Sequence, residues 1–134
     1  MNAKCRAVVI SCMDFRFHAR LYEFLQREGL CGQYDLVSIP GACLNYTTKH
    51  LVEIVELAVK LHDIEDSVYL CHHEDCGAYQ LQAPLQEQIS CQAQDMRSFA
   101  RQVQEKFPQL TIHLLFFTLE GDQPMCIALN EEEE

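Results

Sequence analysis

No apolar run in this chain is long enough to cross a bilayer. Met1-Asn2-Ala3-Lys4-Cys5 leads at once into a strand pattern, so no signal peptide is expected. Positive charge is scarce as well: 10 lysines and arginines stand against 20 aspartates and glutamates, a net charge of −10. Such a balance repels nucleic acid and anionic membrane surfaces, and neither is expected as a partner. Internal repeats and low-complexity linkers are missing too. That leaves a single α/β domain over residues 1–130 and a solvated acidic tail at 131–134. The expectation is a soluble, cytoplasmic protein.

Cysteine, by contrast, is plentiful: eight, at positions 5, 12, 31, 43, 71, 76, 91 and 126. Without an export signal, and with enough chain to bury a core, a disulfide framework is not expected. Cys5, Cys31, Cys43, Cys91 and Cys126 lack a partner motif and read as small buried hydrophobes. Cys71, inside an apolar strand, reads the same way. Only Cys12 and Cys76 sit beside polar, charge-bearing neighbours at strand ends.

Apolar periodicity sets the element order. A strand is expected over about 6–12, then an amphipathic helix over about 17–28 carrying Leu21, Phe24, Leu25 and Glu28 on its rhythm, ended by Gly29 and Gly32. Leu36 to Ile39 is a short strand closed by Pro40-Gly41. The next helix presents Leu51, Ile54, Val55, Ala58 and Leu61 on one face, with Asn45, Thr47 or Thr48 as its cap. A third strand covers Ser67 to Cys71. Leu85, Ile89, Ala93, Met96, Ala100, Val103 and Phe107 then sustain a long helix, which Pro108 stops. Thr111 to Thr118 forms a fourth strand, and a Gly121-Asp122 turn leads to a short antiparallel one near Met125 to Leu129. Strands alternating with helices imply right-handed parallel βαβ units. The simplest result is a mostly parallel sheet of order 2-1-3-4 with an antiparallel edge strand and helices on both faces.

That order makes the first and third strands neighbours at the switch point, where ligands of open α/β sheets bind. Cys12-Met13-Asp14-Phe15-Arg16 and His73-Glu74-Asp75-Cys76-Gly77 both lie at the carboxyl ends of those strands. Cys12, His73 and Cys76 therefore converge. Two thiolates and an imidazole with an open fourth position make a catalytic zinc set. Asp14 and Arg16, two apart in extended backbone, point the same way, and an arginine fork can grip a carboxylate at both oxygens. Held by Arg16, Asp14 leaves the fourth position to water and accepts that water's proton in a hydrogen bond. Released, it could ligate zinc and close the site. The expected reaction is attack of a zinc-bound hydroxide on a small electrophilic carbon. His72 should face away and is not counted as a ligand. His18, His50, His62 and His113 lack matching partners, Glu74 and Asp75 read as solvated turn residues, and Tyr79 and Phe15 as walls of a small apolar pocket or as core.

Cys12-x-Asp14-x-Arg16 and His73-x-x-Cys76-Gly77 resemble the paired signatures of the β-class carbonic anhydrases, and the likeness runs from about Arg6 to Leu129. The resemblance implies Zn2+ on Cys12, His73 and Cys76, an Asp14–Arg16 dyad, and reversible hydration of carbon dioxide to bicarbonate. It also implies a homodimer or higher homo-oligomer with the active site near the subunit interface. Three departures stand out. Ser38-Ile39-Pro40-Gly41 replaces an Arg-Asn-Ala-Gly-like stretch, His72 stands where glycine usually precedes the metal histidine, and bulky Phe15 separates the dyad partners. The N-terminal helical extension that often wraps the partner is not expected here. The alternatives are hydrolysis of carbon disulfide or carbonyl sulfide on the same scaffold, and a non-catalytic zinc protein with Asp14 on the metal. A cysteine phosphatase would need arginine six residues after Cys12, where His18 stands.

Overall fold

The computed structural model describes residues 3–44 and 48–130. Five strands carry the chain: β1 (Ala7–Cys12), β2 (Tyr34–Ile39), β3 (Ser67–His73), β4 (Thr111–Phe117) and β5 (Met125–Ile127). They form one sheet of order β2-β1-β3-β4-β5, parallel except for the β4–β5 edge. Every residue of β1 and β3 is buried. Their apolar stretches, Ala7–Ile10 and Val68–Cys71, run without alternation because helices cover the two faces of the sheet.

Alternation along each strand divides the core. Val8, Ile10, Val68, Leu70, Ile112 and Leu114 point to one face, where α2 (Thr48–His62) and α3 (Leu85–Lys106) cover them. Ala7, Val9, Tyr69, Cys71, Leu115 and Phe117 point to the other, under α1 (His18–Arg27) with Leu21 and Leu25. α1 ends where Gly29 takes a φ of +74°, so Glu28 caps the helix rather than extending its buried face. α3 stops at Lys106, just before Phe107-Pro108.

Two expectations about burial change. On α2, Leu51, Val52, Val55 and Ala58 are buried, while Ile54, Leu57 and Leu61 are exposed. The buried arc is centred between Leu51 and Val55, and at 100° per residue Ile54 and Leu61 lie about 80–100° off it. Among the cysteines read as small buried hydrophobes Cys43 and Cys71 are buried; Cys31 and Cys126 are exposed, and Cys5 and Cys91 are half-buried. The tail at 131–134 and the cap candidates Asn45 and Thr47 lie outside the described residues. Among the described residues no helix is long and apolar enough to cross a membrane.

Candidate metal centre

Because β1 and β3 are parallel neighbours in register, Ser11 opposite Cys71, their carboxyl ends finish side by side. Cys12 closes β1, His73 closes β3, and Cys76 follows on the turn beyond. The two sulfurs are 3.8 Å apart. One ligating atom from each of Cys12, His73 and Cys76 lies within 4.8 Å of the other two, and all three residues are buried. The convergence read from strand order is present in the fold.

Two contacts orient His73. Its ring stacks on Phe17, with centres 4.3 Å apart. Nδ1 is 2.7 Å from the Glu74 carbonyl, which accepts its proton and fixes the tautomer that leaves Nε2 with a free lone pair. Nε2 is buried and has no hydrogen-bond partner. A buried acceptor left bare costs about 1–3 kcal/mol, which is removed when a cation shares the lone pair.

The thiols behave as a pair. The hydrogen bond between them lowers the pKa of Cys12 and raises that of Cys76, and burial pushes both up. Gly41 N–H, 3.4 Å from the Cys12 sulfur, also favours the Cys12 thiolate. Burial opposes a charge on His73, but the Cys12 sulfur and the Glu74 carbonyl outweigh it and raise its pKa. The cluster thus holds negative charge beside a histidine drawn toward protonation. Replacing those shared protons by a divalent ion with soft and borderline ligands suits this donor set. Zinc fits the residues present.

Asp14 and Arg16 meet, though not through extended backbone. Asp14 caps a 3-10 turn at Phe15–Phe17, its Oδ1 accepting the Arg16 backbone N–H at 2.9 Å. The turn swings the guanidinium back, so that Nε donates to Oδ1 at 3.0 Å and Nη2 to Oδ2 at 2.7 Å. This grip holds the Asp14 carboxyl down at about 2. Oδ2 stays 4.0 Å from His73 Nε2, at the edge of the cluster. Arg16 also spans to the other motif: Nη1 donates to the Asp75 carboxylate at 3.1 Å and Nη2 to the Asp75 carbonyl at 2.9 Å.

Asp75 is therefore no idle turn residue. It has a φ of +58°, and the Gln88 side chain accepts its backbone N–H at 2.7 Å. Glu74 likewise accepts the Leu119 N–H at 2.8 Å and ties the turn to the end of β4. Phe15 is 84% exposed and is not part of the core. Tyr79 packs edge-on against His72 and donates to Asp95 at 2.8 Å.

One departure from the family signature, His72, acquires structural meaning. His72 faces away from the cluster, as expected. Its Nδ1 donates to Gln92 Oε1 at 2.9 Å and its Nε2 accepts the Cys43 N–H at 3.0 Å. Burial lowers its pKa to about 4, so the ring is neutral. Gln92 completes a bridge by donating to the His73 carbonyl at 3.0 Å. One glutamine on α3, invisible as a motif, thereby holds both histidines. Gly41 keeps its place because its φ is +74° and an added Cβ would meet Leu44 and Ala78 at 3.0–3.1 Å.

Comparison with known proteins agrees with the fold. Residues 2–124 match the protein-family model described as "Putative carbonic anhydrase". An uncharacterised protein of Rickettsia conorii is 32% identical over 128 residues, covering 85% of this chain and 68% of its own length. A second, from Rickettsia bellii, is 32% identical over 128 residues, with 85% and 77% covered. The β-carbonic anhydrase isoform I of Trichomonas vaginalis superposes with a TM-score of 0.67 at 16% identity, over 95% of this chain and 85% of that one. The carbonic anhydrase of Streptococcus mutans gives 0.63 at 16%, over 95% and 84%. At these identities the structural likeness establishes the fold.

Proposed function

The chain belongs to the carbonic anhydrase family whose model it matches, and from that premise we propose a zinc-dependent enzyme that interconverts carbon dioxide and bicarbonate. Cys12, His73 and Cys76 hold the metal. The observation that carries the reading is His73 Nε2, buried without a partner in the same cluster as two thiols. Zinc, when bound, supplies Lewis acidity that makes solvent nucleophilic near neutral pH. The Cys12 and Cys76 thiolates would offset the charge of that ion, so this donor set would acidify solvent less than three histidines do.

Asp14 makes up part of that difference. Its Oδ2, at the edge of the cluster, accepts a proton in a hydrogen bond and aims the nucleophile at carbon. Arg16 occupies both oxygens of Asp14, keeping the carboxylate ionised and off the metal. Asp75 anchors the far side of the guanidinium, so that Arg16 holds its position without bending toward substrate. Carbon dioxide and bicarbonate are the substrate pair, the working form is a homodimer or higher homo-oligomer, and the compartment is the cytoplasm.

Metal analysis with stopped-flow hydration tests this. Wild type should hold zinc at this site and release protons on mixing with carbon dioxide. Asp14→Asn should keep the zinc and lose about 10²–10⁴-fold in rate. Zinc bound with no hydration from neutral to alkaline pH would refute the assignment, and hydrogen sulfide release from carbonyl sulfide would redirect it to the related hydrolase.

A further inference from the structure

A second set of sulfur, nitrogen and oxygen donors meets at the opposite end of the sheet. Cys5 leads into β1, Asp35 lies on β2 and His62 closes α2. One ligating atom from each lies within 4.8 Å of the other two, and all three residues are half-buried. The fold builds this meeting from backbone. The Cys5 N–H donates to the His62 carbonyl at 3.2 Å, pinning the strand entrance to the helix end. Asp35 pairs with Val8 in register, so its side chain shares the sheet face that α2 covers. Reading the sequence in order gives no hint of it, because the three residues come from separate elements.

The local chemistry favours a cation. His62 is the last residue of α2, where the helix dipole presents its negative end. His62 Nδ1 and Asp35 Oδ2 are 2.6 Å apart, already sharing a proton. The Cys5 thiol has a weaker outlet, a 3.6 Å contact with the Ala7 carbonyl. Cys5 also lines a surface cleft of 390 Å³ with Lys4, Arg6, Gln33, Asp63, Glu65 and Asp66. Lys4 and Arg6 are paired with Asp63 at 2.9 Å and Asp66 at 3.0 Å, so the cleft offers no excess positive charge.

We propose that Cys5, Asp35 and His62 form a second metal site, taking a divalent transition ion of the zinc class with solvent from the cleft in its fourth position. One thiolate, one imidazole and one carboxylate suit a borderline ion such as Zn²⁺ or Co²⁺. Mg²⁺ and Ca²⁺ prefer oxygen alone. Binding sends the thiol proton to solvent, while the imidazole ligates as the neutral ring with its one proton on the nitrogen that does not face the ion. Three protein ligands and an exchangeable position hold the metal less tightly than a closed structural site does. The ion ties the strand entrance, the edge strand β2 and the end of α2 together. It works independently of the carbonic anhydrase reading, since the two clusters share no residue and lie about 20 Å apart along the strands.

Cobalt titration of the metal-stripped full chain, followed by thiolate-to-cobalt absorption in competition with a weak chelator, tests the site. Wild type should take up two equivalents, both with thiolate bands. Cys5→Ser and His62→Gln should each take up one, and Cys76→Ala should keep only the one that Cys5→Ser loses. Thermal melting should show the second equivalent raising Tm in wild type and not in Cys5→Ser. Circular dichroism identifies a variant that fails to fold, in which case the other variant decides. Saturation of wild type at one equivalent that folded Cys5→Ser retains, or two equivalents retained in folded Cys5→Ser or His62→Gln, overturns the proposal. An uptake unchanged in Cys76→Ala would instead count against the catalytic assignment alone.

Discussion

The two ends of the sheet make an instructive pair. Each gathers cysteine, histidine and aspartate from elements far apart in the chain, yet the surroundings differ. At the carboxyl ends the donors are buried, the imidazole has its second nitrogen occupied by a carbonyl, and the carboxylate is held back by arginine. At the amino ends the donors are half-exposed and the carboxylate bonds the imidazole directly. The contrast teaches that side-chain identity sets which ion a cluster would suit, while the neighbours of each donor decide whether a reactive position would stay open. Arg16 is the largest such difference, and nothing of its kind faces Asp35 among the described contacts.

Substitution at the ligands should separate the ends most sharply. Cys76→Ala is expected to abolish zinc binding at the catalytic cluster and reduce hydration to background, whereas Cys5→Ser should leave the hydration rate within about twofold, as for a change with no shared partners. Paired stopped-flow traces at matched protein concentration make the comparison. Next in size is the arginine clamp. Arg16→Ala should retain zinc yet lose about 10–100-fold in hydration, the usual effect of removing a residue that orients the metal's surroundings. Zinc content measured beside the rate tells a lost clamp from a lost metal.

Gln92→Leu should cost less in rate and more in stability. It bares the His72 Nδ1–H and the His73 carbonyl, each worth about 1–3 kcal/mol when buried and unpaired. Urea unfolding with a zinc-affinity measurement reads both effects, and Cys5→Ser serves as the control from the other end. The smallest effect belongs to neither end. His113 stacks on Tyr69, with ring centres 4.4 Å apart, and burial holds its pKa below the ordinary 6.5. The unfolded chain therefore binds this proton more readily than the native one. The associated stability is complete above pH 6.5 and drains away as pH falls below it. His113→Phe should flatten that part of the stability-against-pH curve, measured by urea midpoints from about pH 7.5 to about pH 5.5.

Much of the fold was legible because β1 and β3 hold short apolar runs, Ala7–Ile10 and Val68–Cys71, followed by polar clusters. Their adjacency followed from the crossover rule, and the meeting of Cys12, His73 and Cys76 from that adjacency. Other features depend on local backbone that residue types do not announce. Asp75 reaches Arg16 from a positive φ rarely taken by a residue with a side chain, and Asp14 meets Arg16 through a 3-10 turn rather than a strand. Gln92 reads as one polar residue on a helix until α3 is laid against β3. Cys5, Asp35 and His62 lacked a signature altogether, since only tertiary packing brings them together.

His72 ties the Gly41–Cys43 loop to α3 through a single imidazole. Swapping that ring for a smaller residue would strand the Cys43 amide and the Gln92 oxygen at once. A change at position 72 therefore acts on the loop and on α3 together, and its cost depends on what stands at position 92.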